Sequence, residues 1–77
     1  MSDFNYILSL VKLINTTVKL RSNDEKFKQI NVKSRKILAD ARNQRQNAIA
    51  LANLRTELEA LDLQLSIRCN ELGIEQN

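Results

Sequence analysis

Residues 51–72 read LANLRTELEALDLQLSIRCNEL. Leucines stand at Leu51, Leu54, Leu58, Leu61, Leu65 and Leu72, and Arg68 fills the one gap in a 3-4-3-4-3-4 spacing. This is the a/d repeat of a coiled coil. Neighbouring members fall on one face of an α-helix, and a helix carrying them has to bury that face. The six leucines are therefore the expected oligomer interface. Arg68 is a candidate for setting register within the seam, or lays its stem along it and reaches water. Cys69, beside the seam, reads as a small buried hydrophobe.

Upstream, the stretch from Asp24 to Leu72 holds no proline and no glycine. Phe27, Ile30, Ile37, Leu38 and Ala41 give it an inner face in its first half. Asn43-Gln44-Arg45-Gln46-Asn47 then forms the most polar five residues of the chain. Gln and Arg favour helix, and nothing there marks a break. The reading adopted is one long helix over 24–72, 49 residues and ~74 Å long. A turn at these five residues gives the alternative, a monomeric three-helix bundle.

At the downstream end, Gly73 suits the left-handed position after a helix, with Ile74 packing back on the last turn. Residues 73–77 are expected to fray. At the upstream end, Ser22-Asn23-Asp24-Glu25 fits a capping box that starts the long helix after a turn at 21–23. Before it, Phe4, Ile7, Val11, Ile14 and Val18 stand at helical spacing, with Leu10, Leu13, Thr17 and Leu20 beside them. They predict a first helix over 3–21, capped by Ser2 or Asp3. The expected fold is all-α: a helical hairpin with one short and one long arm in a single domain, 1–77, assembling into a helical bundle.

Composition narrows the function. With no histidine and one cysteine in 77 residues, disulfides, a structural zinc and an imidazole-assisted nucleophile lack their parts. No glycine-rich loop is present to hold a phosphate. The expectation is no enzyme, no catalytic residue, no cofactor and no metal. A core this small needs a supplement, and oligomerisation is the one left. The apolar run from Phe4 to Leu20 is broken by Lys12, Asn15, Thr16, Thr17 and Lys19, so no membrane span is expected. The lone thiol and the lack of a signal peptide point to an intracellular, cytoplasmic setting. The Asn-, Ile- and Lys-rich mix fits an AT-rich genome, such as a virus or plasmid; for a viral chain the setting is the host cytoplasm.

Charge is unevenly spread along the chain. Residues 1–45 hold ten basic and four acidic side chains, a net +6. Residues 46–77 hold Arg55 and Arg68 against Glu57, Glu59, Asp62, Glu71 and Glu75, a net −3. Opposite halves attract when two rods run antiparallel, and the alanines from Ala48 to Ala52 let backbones approach there. The expected partner is a second copy in an antiparallel dimer. The functional expectation is a protein-protein interaction module acting as an adaptor, assembly factor, regulator or inhibitor of an unidentified protein. The rival reading is a basic nucleic-acid-binding regulator. Lys28, Arg35 and Arg42 recur every seven residues, flanked by Lys33, Lys36 and Arg45, and such a row can follow a phosphate backbone. No aromatic residues are interleaved to stack on bases.

Overall fold

Three runs of apolar residues at helical spacing become three helices. The computed structural model describes residues 3–20 and 24–73. Helix α1 spans Asp3–Lys19, α2 spans Glu25–Asn43 and α3 spans Ala48–Glu71. Among the described residues there is no strand, and the all-α expectation holds. Each helix packs on the other two. No helix among the described residues is long and apolar enough to cross a membrane.

Helix α1 buries the predicted stripe Phe4, Ile7, Val11, Ile14 and Val18, with Leu10 and Thr17. Leu13 and Leu20 remain exposed, so the apolar face is narrower than the sequence suggests. The Thr17 hydroxyl donates to the Leu13 carbonyl at 3.2 Å, which satisfies a polar group that is itself buried. The helix ends at Lys19 rather than 21.

The start of α2 differs from the capping-box expectation. Asp24 is the N-cap, and its carboxylate accepts from the Phe27 N–H at 3.1 Å. Ser22 and the predicted turn at 21–23 lie outside the described residues. The inner face of α2 is Phe27, Ile30, Ser34, Ile37 and Ala41, with Leu38 partly buried. Ser34 continues the 3-4-3-4 spacing, and its hydroxyl donates to the Asn31 carbonyl at 2.8 Å.

The single long helix over 24–72 is not formed. The Gln44 N–H donates to the Asp40 and Ala41 carbonyls at 3.0 and 3.3 Å, and the Asn47 N–H donates to the Gln44 carbonyl at 2.9 Å. Asn47 then caps α3, its side-chain oxygen accepting from the Ala50 N–H at 3.0 Å. Both helix ends thus have partners for backbone groups that a break would otherwise strand. The gain from breaking is large: α3 folds back and buries its leucines within the chain. The Cα positions extend only 39 Å along their longest axis, against ~74 Å for the rod.

The covering of the leucine seam is corrected in the same way. Leu51, Leu54, Leu58, Leu61, Leu65 and Cys69 are buried, and α1 and α2 of the same chain cover them. No second chain is needed to hide them. Leu72, the sixth leucine, is the C-cap and is 43% exposed. Gly73 takes the predicted left-handed conformation, φ 70°, and its N–H donates to the Asn70 carbonyl at 3.1 Å. Ile74 and the predicted frayed tail beyond it lie outside the described residues.

Candidate interaction surfaces

Polar side chains first fix the geometry of the bundle ends. Arg68 is the seam position that is not leucine, and it pairs with Asp24 at 2.6 Å. Its Nε also reaches the same carboxylate at 3.2 Å, so the contact is forked. The pair ties the last turn of α3 to the first of α2. The Arg68 hydrogen bond, chiefly, holds the Asp24 carboxyl below its ordinary range, and the Phe27 N–H adds to this. Glu71 approaches Arg68 at 3.6 Å. Arg68 thus finds its partner within its own chain, across α2 and α3.

A second polar group joins the start of α1 to α3. Arg55 pairs with Asp3 at 3.0 Å and approaches Glu59 at 3.8 Å. Its guanidinium lies 4.3 Å from the centre of the Tyr6 ring, and the Tyr6 hydroxyl donates to Glu59 at 3.1 Å. Burial, followed by the bond to Glu59, raises the Tyr6 pKa above its ordinary value. Among the described residues, no group of three or more His, Cys, Asp or Glu side chains gathers as a metal site would require.

The basic residues divide between two roles. Arg45, in the α2–α3 connection, lies over the Phe4 ring at 4.1 Å and covers the end of the core. Lys28, Lys33, Arg35, Lys36 and Arg42 are exposed on α2. None of these five makes an ion pair with a described residue. Between them stand Val32, 67% exposed, and Ala39, also exposed. The outward face of α2 is therefore a basic strip with a small apolar centre. Helix α2 carries six basic side chains against Glu25 and Asp40.

The outward face of α3 carries a feature that the leucine seam conceals in the sequence. Ile49, Thr56, Leu63 and Asn70 recur every seven residues, and Ala52, Ala60 and Ile67 lie beside them. These residues fall on the side of the helix opposite the leucines. Ile49 is 77% exposed, Leu63 61% and Ile67 52%. Ala52, Thr56 and Ala60 are exposed as well. The Thr56 hydroxyl is turned back to the Ala52 carbonyl at 3.1 Å, which leaves its methyl to the outside. No charged residue interrupts the stripe. Acids stand beside it: Glu57, Glu59 and Glu71, all exposed. The chain matches no protein-family model, no curated protein and no solved structure. The bundle thus presents two contrasting outer faces, one uncharged with acidic flanks and one basic.

Proposed function

We propose that this protein is a non-catalytic interaction module, a small helical wedge that binds other polypeptides through its outer helix faces. It acts as an adaptor, an assembly factor or an inhibitor that occupies a partner's surface, with a second copy of itself as the first partner. The reading rests on one observation, the uncharged outward stripe from Ile49 to Ile67 on α3. Single exposed leucines are ordinary on a protein surface. An exposed stripe of apolar and small uncharged residues along a helix is a common mark of a protein contact. A reducing intracellular compartment suits the buried Cys69 thiol.

The test is solution mass against concentration, by sedimentation, with and without DNA and RNA. Without nucleic acid, the mass should rise above the 8.9 kDa of one chain. Changing Leu63→Lys with Ile67→Lys should return it to 8.9 kDa while helicity is kept. Wild-type protein that stays monomeric throughout and binds no polypeptide would sink the reading.

The second reading, nucleic-acid binding, is favoured by the unpaired row Lys28, Arg35 and Arg42 on α2. If it holds, DNA or RNA should bind at ~50 mM salt and release as salt rises. Changing the three residues to Gln should abolish binding without altering helicity. Absence of binding at ~50 mM salt, where phosphate contacts are strongest, removes it.

A further inference from the structure

We infer that the outward stripe of α3 docks on the basic outward face of α2 of a second copy, so that copies join head to tail. This rests on the proposed interaction role and names its partner surface. The stripe is uncharged but flanked by Glu57, Glu59 and Glu71, and α3 carries four acids against Arg55 and Arg68. An occupant of matching chemistry has a small apolar centre and basic flanks. The outer face of α2 has this form over residues 28–42: Val32 and Ala39 at the centre, with Lys28, Arg35, Lys36 and Arg42 around them, and the exposed Glu25 one heptad before Val32 bounding it at the helix start. The periods agree as well. Glu57, Gln64 and Glu71 recur every seven residues, as do Lys28, Arg35 and Arg42. Both ends of one row can therefore face both ends of the other.

Pairing of the stripe with itself is disfavoured by the same charges. An antiparallel pair that sets Ile49 against Ile67 of the other copy brings like flanks together, so Glu57 comes near that copy's Glu57 and Glu59 near its Glu59. A parallel pair brings opposite flanks together, so Glu57 comes near that copy's Glu59. Like charges brought together across an interface oppose association. The two complementary faces lie on different helices and point away from each other, so one chain cannot satisfy both. A contact between different faces is heterologous, and it extends until a ring closes or a filament grows. Two single-helix faces make an interface at the small end, below about 1,200 Å², so association should be weak and salt-sensitive.

The experiment uses two variants of the full chain. Lys28→Glu with Arg35→Glu spoils the α2 face, and Leu63→Lys with Ile67→Lys spoils the α3 face. Lys28→Gln with Arg35→Gln replaces the first if circular dichroism shows that the glutamates disturb α2. Wild type should associate in sedimentation, about tenfold more weakly at ~300 mM than at ~50 mM salt. Each variant alone should be monomeric. An equal mixture should form a one-to-one dimer and nothing larger, because only one good face remains on each. If the α2 variant alone associates like wild type, the inference is overturned while the interaction reading stands. If wild type binds only nucleic acid and stays monomeric, both are overturned.

Discussion

Among single residues, Asp24 and Arg68 carry the most information. In the sequence, Arg68 is a flaw in a leucine repeat; in the fold, it makes a forked contact with the residue that caps the next helix. Asp24 has a folded pKa below its unfolded value of 3.8. A depressed carboxyl adds stability above the unfolded pKa and loses it as pH falls through the folded one. The urea midpoint should therefore drop on acidification below about pH 4. Asp24→Asn keeps a capping oxygen but lacks the ionised partner, so its midpoint should be lower at neutral pH and flatter against pH. An Asp24→Asn midpoint that follows wild type at every pH would show that the pair adds nothing. Neither partner is legible as a pair in advance, because the two stand 44 positions apart and only the folding back of α3 joins them.

At the level of the helix, α3 is apolar on two opposite sides, one buried and one exposed. Leu58 is fully buried and Leu63 mostly exposed, which gives a direct comparison. Leu58→Ala should cost about 2–5 kcal/mol by thermal or urea unfolding. Leu63→Ala should stay within about 0.5 kcal/mol in the dilute monomer. Equal costs at the two sites would mean the outer stripe is covered in the isolated chain. The leucine spacing made the inner side of α3 legible, and the spacing of Phe4 to Val18 did the same for α1. Two things were not legible. The outer stripe is masked because Leu63 and Ile67 alternate with the seam leucines Leu61 and Leu65, so the run gives no helical spacing of its own to the outer side. The break between α2 and α3 is masked because Asn43 to Asn47 contain no Gly or Pro. It is made by caps, and Asn47 becomes a cap only once the helix behind it has stopped.

For the whole molecule, topology turns on those few connecting residues. If residues 44–47 became helical, α2 and α3 would join into a rod. The rod's leucine arm would then lie on α1 and α2 of another copy, giving the antiparallel dimer that the opposed charges of the chain suggest. The apolar contacts of this exchanged dimer are those of the monomer. The two states therefore differ in the connection and in the entropy of bringing two chains together. A short loop closes at small entropic expense, whereas association of two chains does not, so the broken form is preferred in dilute solution. The balance should be movable. Asn43→Ala with Asn47→Ala removes the α3 cap, worth about 1 kcal/mol, and places the best helix former at both sites. The Arg45 contact with Phe4 opposes opening, so Arg45→Ala should act in the same direction. The combined variant is expected to shift from 8.9 kDa to twice that mass, with the longest dimension in X-ray scattering rising from the scale of 39 Å to ~70 Å. Unlike the head-to-tail contact, the exchanged dimer should hold in high salt, since its stability lies in the leucine seam rather than in charge. A combined variant that stays monomeric and short at millimolar concentration would show that packing of α3 on α1 and α2, and not the caps at Asn43 and Asn47, decides the topology.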